Sequence, residues 1–233
     1  MPLWAGDPER IHCHMKLPVI RKENVKPLLE TGFLNVYDLQ YEEGKHYYNA
    51  TRRKLEDLAS IKDEEEYKAM VPDAVSCVVI LVTPDGDERL LLAYEYRYPA
   101  GRLLLGVPAG LIDPRDKEEE NPVLSAAARE IHEETGIVIG KEDTLKVISP
   151  LLYSTPGMTD ESNALALAVI RLEDLSVLSQ EGAEGQELFA GFELLTMDQA
   201  RKTLAEGRDK YGNFYSMYTW AALMYFVNRM WKD

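Results

Sequence analysis

Apolar and polar positions change their period several times along the chain, and the changes divide it into elements. Residues 1–32 show no clear periodicity. Phe33 to Tyr41 and Lys45 to Arg53 alternate as two strands would, joined by a turn at Glu42-Glu43-Gly44. Residues 54–70 are rich in Glu and Lys and are expected to be helical, with Pro72 ending the pattern. Val75 to Val82 is an apolar run interrupted only by Ser76, the mark of a strand buried on both faces. Asp85-Gly86 is a hairpin turn signal, Arg89 to Arg97 returns as its partner, and Leu103 to Val107 is a further short strand. Pro122 to Thr135 reads as a helix, with Asn121 as its cap, Pro122 in its first turn and Gly136 just beyond its end. Strands then follow near Leu145–Ile148, Ala164–Leu172 and Leu188–Leu195, and two helices, at about 197–206 and 215–231, complete the pattern.

Strands mixed with flanking helices predict a sheet covered on both faces, an α/β fold of the α+β kind. The composition shift near Pro72 predicts a small β-rich N-terminal module over residues 1–71 and a larger domain over 72–233. A length of 233 residues with a 45% hydrophobic fraction supports such a core. The net charge of −14 argues against a nucleic-acid partner, which requires a basic face. It also means that an anionic substrate needs local cations, from Arg and Lys or from bound metal. Cys77 lies in the apolar run and reads as a small buried hydrophobe. Neither cysteine has a partner at metal-ligand spacing, so a reducing, cytoplasmic setting is expected. His12, Cys13 and His14 lack a matching cluster elsewhere and read as incidental. The N-terminal residues lack the basic and apolar segments of a signal peptide, and Ala74 to Val82 is too short to span a bilayer, so no membrane association is expected.

The helix at 122–135 carries the chemistry. Glu130, Glu133 and Glu134 fall on one face at spacings i, i+3 and i+4. Leu124, Ala127, Ala128 and Ile131 gather a quarter turn away, which would put the carboxylates at the edge of the packed surface. Three like charges on one face destabilise a helix by a few tenths of a kcal/mol per pair, and a hard dication reverses that. Arg129 is placed to pair with Glu133 at i, i+4 or with an acid on the preceding loop. His132 points away from this face. An acidic helix face alone is more often a solvated one; the wider pattern Arg-Glu-x-x-Glu-Glu-x-Gly, preceded by Pro108-Ala109-Gly110, is far more specific.

Arg129-Glu130-Ile131-His132-Glu133-Glu134-Thr135-Gly136-Ile137 resembles the second half of the Nudix box, with Gly110 as its opening glycine. Glu95-Tyr96-Arg97-Tyr98-Pro99, Pro108 to Asp113, and Ser154 to Glu161 extend the resemblance to the ADP-ribose pyrophosphatase branch over roughly residues 33–200. Two departures stand out. Eighteen residues separate Gly110 from Arg129, against thirteen in the usual box, and the position eight before Arg129 is Asn121 rather than Glu. Either Glu118, Glu119 or Glu120 substitutes for that Glu, or its role is lost. Gly106 also stands where relatives often have Glu.

The resemblance implies a Nudix α/β/α sandwich with a mixed sheet. It implies hydrolysis of the diphosphate bond of a nucleoside diphosphate sugar, foremost ADP-ribose to AMP and ribose 5-phosphate, with Mg²⁺ or Mn²⁺ as cofactor. UDP-glucose or GDP-mannose is the alternative substrate, and a non-catalytic nucleotide-sugar-binding domain the alternative function. By similarity Glu130 and Glu134 are the main metal ligands, Glu133 assists, and the carbonyl of Ala109 joins them. Glu161 is the candidate general base, against a turn carboxylate as its bland reading. Arg97 is a candidate phosphate clamp, against an ion pair with Glu95, and Arg52 and Arg53 lie where relatives place a nucleotide-binding arginine. Tyr47, Tyr48, Tyr96 and Tyr98 are expected to pack in the core more than to stack on a base. The N-terminal module is expected to make a homodimer.

Overall fold

A computed structural model describes residues 17–182 and 187–232, and these divide into two compact units. The first holds the chain up to Met70 together with Thr155–Glu161; the second holds Val71–Ser154 and the chain from Ser162 onward. The split expected from sequence, 1–71 and 72–233, therefore misses one exchange: seven residues from the middle of the larger domain belong with the smaller unit. The expectations for the first sixteen residues, including His12, Cys13 and His14, lie outside the described residues.

The first unit is a three-stranded antiparallel sheet of β1 (Val25–Glu30), β2 (Asn35–Glu42) and β3 (Lys45–Thr51), in that order. β1 was not legible in the sequence because five of its six residues are exposed and it contains a proline, so no alternation shows. It is an edge strand, where proline is tolerated. Tyr37, Leu39, Val25 and Leu58 form this unit's small core. The helix expected over 54–70 is a correction: the stretch makes two 3-10 turns and one short helix, α1 (Glu64–Lys68), capped by Asp63 and Glu66 in a reciprocal capping box. Its Glu-rich sequence lacks a continuous apolar stripe to pack. Tyr47, Tyr48 and Tyr98 are exposed rather than packed in a core.

In the second unit, β4 (Ala74–Val82) is the centre of a mixed sheet with β5 (Glu88–Arg97), β6 (Arg102–Gly106), β7 (Ala109–Leu111), β8 (Thr144–Tyr153), β9 (Ser162–Arg171) and β10 (Phe189–Leu195). The main order is β10-β5-β4-β9-β8, with β6 pairing β5 and β7 pairing β4; only β4 and β9 run parallel. Eight of the nine residues of β4 are buried, as a strand covered on both faces requires. One face carries α2 (Pro122–Thr135) on Val75, Cys77, Val79, Ala164, Ala166 and Ala168. The other carries α3 (Met197–Glu206) and α4 (Met217–Val227) on Val78, Ile80, Leu90, Leu92 and Leu167. This is the expected α/β/α sandwich with a mixed sheet. Among the described residues, no helix is long and apolar enough to cross a membrane.

Candidate metal centre and active site

The helix α2 starts and stops where the sequence placed it. Asn121 accepts a hydrogen bond from Leu124 N at 3.2 Å, and Gly136 takes a left-handed conformation (φ 75°) that closes the last turn. Its buried stripe, however, runs Val123, Ala126, Ala127, Glu130, Ile131, Glu134. Leu124 and Ala128 are only half-buried. Glu130 and Glu134 therefore continue the apolar stripe itself rather than standing at its edge; Glu133 alone occupies the margin, and His132 is exposed as expected.

Burial sets the electrostatics of this pair. Loss of water around Glu134 raises its pKa to about 9, and the carboxylates of Glu130, Glu187 and Glu95 push the same way against a hydrogen bond from Ala109 N. Burial raises Glu130 to about 7, with Arg129 opposing and Glu133 and Glu187 adding to it. Two carboxyl groups that resist ionisation on one helix turn call for a cation to compensate them.

Arg129 is the hub that orients the cluster. Its Nη1 donates to Glu130 Oε1 at 2.7 Å and to Glu133 Oε2 at 3.0 Å. Its Nη2 donates to the carbonyl of Leu111 at 2.9 Å and to Asp116 Oδ2 at 2.9 Å. Asp116 is 2% exposed and also accepts from Asp113 N and Ser125 Oγ. Burial works to raise its pKa, but the hydrogen bonds, chiefly from Arg129, outweigh burial and hold it below the ordinary value. Asp116 thus does what was expected of Glu118, Glu119 or Glu120, all of which are exposed. Counting forward from Gly110 finds it: Asp116 sits six residues on, where the box has its first Glu. The extra five residues fall after it, and Asn121 is free to serve as a helix cap.

Gly110 is required by contact rather than by conformation. A Cβ there would lie 1.9 Å from Glu130 Oε1. The strand β7 thus lies directly on the Glu130 carboxylate. Ala109 N donates to Glu134 Oε1 at 3.1 Å. Just outside β7, Pro108 O accepts from Cys77 N and Ile112 N donates to Asp73 O, so the bonded positions along this edge alternate through Gly110. Ala109 lies at a non-bonded register position, and N–H and C=O of one strand residue share a side. Its carbonyl therefore faces the helix with its N–H.

Glu187 is a carboxylate that the sequence reading did not single out. It precedes β10, and Leu188 O accepts from Tyr96 N at 2.8 Å while Phe189 pairs with Glu95. Its charge acts on Glu95, Glu130 and Glu134. No box motif marks it, because it comes from a segment without periodicity. Arg97 forms an ion pair with Glu95 at 2.6 Å.

In the first unit, Glu161 pairs with Arg52 Nε at 2.7 Å. The loop that carries Glu161 is fastened to β3 by Ala50 N to Met158 O (3.1 Å), Tyr47 Oη to Gly157 O (2.9 Å) and a reciprocal Asn49–Asp160 pair (3.1 Å each way). Arg53 is buried inside this unit, its guanidinium against the sulfur of Met70 and its backbone tied to Thr51 and Asn35. Of the two neighbouring arginines, only Arg52 is presented to solvent.

The donor set fits a divalent cation. Mg²⁺ takes one or two carboxylates and completes its shell with water and phosphate oxygens. Glu130, Glu134 and the Ala109 carbonyl offer three oxygens on one side, with Glu133 at the margin. Among the described residues no three His, Cys, Asp or Glu side chains are grouped so as to hold a metal ion by themselves.

The site is thus an acidic helix gripped by an arginine and packed on a glycine-containing strand of an α/β/α sandwich. The NUDIX domain family matches residues 72–215, and the chain belongs to it. A Caenorhabditis elegans protein named putative nudix hydrolase 2 is 39% identical over 95 residues, covering 41% of this chain and 39% of its own. An ADP-ribose pyrophosphatase of Mycobacterium tuberculosis is 38% identical over 90 residues, covering 39% of this chain and 40% of its own. The chain thus spans about two fifths of the length of these relatives. A crystal structure of an ADP compounds hydrolase shares the fold, with a TM-score of 0.52 at 20% identity over 93% of this chain and 95% of that one.

Proposed function

We propose that this chain hydrolyses the diphosphate bridge of a nucleoside diphosphate sugar, foremost ADP-ribose to AMP and ribose 5-phosphate, with Mg²⁺ or Mn²⁺. The observation that carries the reading is the buried Glu130–Glu134 pair, oriented by Arg129 and Asp116 and lined by the Ala109 carbonyl. Bound divalent cations would supply charge neutralisation of the diphosphate and acidification of the attacking water. Glu130 and Glu134 would hold them, Glu133 would assist, and Arg97 would bind phosphate oxygens in a bidentate manner; Arg52 and Arg53 are nucleotide-binding candidates by the resemblance alone. The relative named ADP-ribose pyrophosphatase supports ADP-ribose over UDP-glucose or GDP-mannose.

A general base must take a proton from the attacking water. Glu161 is the candidate by resemblance. Glu187 is proposed as a second candidate because its charge acts on both Glu130 and Glu134. Glu187→Gln is expected to lower kcat at least ~100-fold, more than Glu161→Gln does, and the reverse ranking would return the role to Glu161. A panel of nucleotide sugars with Mg²⁺ and Mn²⁺ tests the whole reading. Release of a nucleoside monophosphate from ADP-ribose supports it; binding of every substrate without cleavage would reassign the chain as a nucleotide-sugar-binding domain.

The N-terminal unit exposes Leu28, Leu29, Phe33, Leu34, Tyr47 and Tyr48, an apolar surface suited to a second copy of the chain. A homodimer is therefore part of the proposal, and a monomeric mass by light scattering at working concentration would remove it.

A further inference from the structure

The ion pair of Glu95 and Arg97 is built differently from an ordinary surface pair. The two residues are two apart on β5 and so share one face of the strand. Glu95 is flanked on both sides, by Leu104 of β6 and Phe189 of β10. Its side chain is 14% exposed, while that of Arg97 is 50% exposed. Only Nη2 of Arg97 meets Glu95 Oε2, at 2.6 Å. Among the described residues Glu95 and Arg97 make no other ion pair, and the Arg97 side chain is half exposed at the end of the strand. A fixed carboxylate therefore holds one edge of an arginine whose other edge is presented.

We propose that Glu95 is a positioning residue for anion recognition: it fixes the Arg97 guanidinium by one edge so that the other edge meets a phosphate group. This rests on the reading of a diphosphate substrate given above, which supplies the phosphate. The physical basis is conformational. A free arginine side chain at a strand end samples many rotamers, and binding must order it. A pre-held planar fork loses less on binding a bidentate oxyanion. The half-buried carboxylate is near Glu134 and Glu187, so its charge also works against an incoming anion. The two effects have opposite signs, which makes the proposal decidable.

The test is calorimetric titration of the full chain with inorganic pyrophosphate in metal-free buffer, for wild type, Glu95→Gln, Arg97→Ala and the double variant. Glu95→Gln keeps the shape and removes the charge that holds Arg97. The expected result is about ten-fold weaker binding for Glu95→Gln, a loss at least as large for Arg97→Ala, and no further loss in the double variant. If Glu95 merely neutralises a surface arginine, Glu95→Gln binds pyrophosphate as tightly or more tightly, and the proposal falls. Equal binding by wild type and Arg97→Ala overturns it as well. In steady-state hydrolysis the loss in Glu95→Gln should reside in KM rather than kcat. Failure of the wild type to cleave any nucleotide sugar, with the pyrophosphate pattern intact, would remove the hydrolase reading and leave this anion site standing; cleavage without that pattern would do the reverse.

Discussion

The two faces of β9 show how this domain separates packing from chemistry. On one face the strand presents Ala164, Ala166 and Ala168 to α2; on the other it presents Leu165, Leu167 and Val169. The α2 side is packed with small residues, Ala126, Ala127 and Cys77 among them, while the opposite core is filled by Leu90, Leu92, Tyr94, Leu223 and Phe226. Small residues let a helix lie close to a sheet. Here that closeness carries Glu130 and Glu134 out of water and against β7. The α2 side also holds Val75, Val79, Leu91, Ile131 and Ile137, so both faces bury apolar side chains while only the α2 side buries two acids as well.

The largest test of this contrast removes one of those acids. Glu134→Gln should reduce kcat by roughly 10³-fold, through loss of a metal ligand. It should at the same time keep or raise the melting temperature of the metal-free protein at pH 8–9, because a neutral amide replaces a carboxylate whose ionisation is resisted. A variant that loses activity together with its fold would contradict the separation.

Gly110→Ala is expected to cost about 100-fold in activity, since its Cβ would lie 1.9 Å from Glu130 Oε1 and must displace that carboxylate. Activity near that of wild type would show that the Glu130 carboxylate can move without consequence. Asp116→Asn should weaken Mn²⁺ binding and activity about ten-fold by loosening Arg129. Triple replacement of Glu118, Glu119 and Glu120 by Gln should change neither, and the opposite ranking would return the orienting role to those three.

Substitutions on the two faces of β9 sharpen the comparison at the level of stability. Leu167→Ala opens a cavity in the bulky core and should cost roughly 2–5 kcal/mol by denaturant titration, with metal affinity retained. Ala166→Leu overpacks the α2 side and should cost a smaller ~1–3 kcal/mol, but with metal affinity reduced because the helix is pushed from the sheet.

A further expected effect is a pH dependence. Glu130 and Glu134 have folded-state pKa values raised from the ordinary 4.5 to about 7 and about 9. Above the unfolded value the unfolded chain binds fewer protons than the folded one, so their contribution to stability is full below about pH 4.5 and is lost as pH rises through 7 and 9. The melting temperature of metal-free protein should thus fall between pH 6 and 9, other groups being equal, and Mg²⁺ should restore most of the loss. A melting curve insensitive to Mg²⁺ at pH 9 would count against the pair as a cation site.

Much of this was legible from periodicity and caps. The limits of α2 follow from Asn121, Pro122 and Gly136, and the apolar run of β4, interrupted only by Ser76, announced a strand buried on both faces. What was not legible has physical reasons. The burial of Glu130 and Glu134 contradicts the ordinary partition of charge to the surface, so a helical wheel places them at an edge. Asp116 was hidden because an insertion lies between it and Arg129, and spacing counted backward through an insertion fails. Glu187 sits on an aperiodic segment, and its relation to Glu95 arises only from the pairing of β10 with β5. The association of Thr155–Glu161 with the N-terminal unit depends on side-chain pairs such as Asn49–Asp160, which span 111 residues of sequence and leave no local pattern.

The most direct measurement is anomalous diffraction from crystals soaked in Mn²⁺. The account predicts density beside the carboxylates of Glu130 and Glu134 and the carbonyl oxygen of Ala109, with Arg129 still held by Asp116. Manganese bound elsewhere, with Glu130 and Glu133 retained by Arg129 and no peak at this turn, would contradict it.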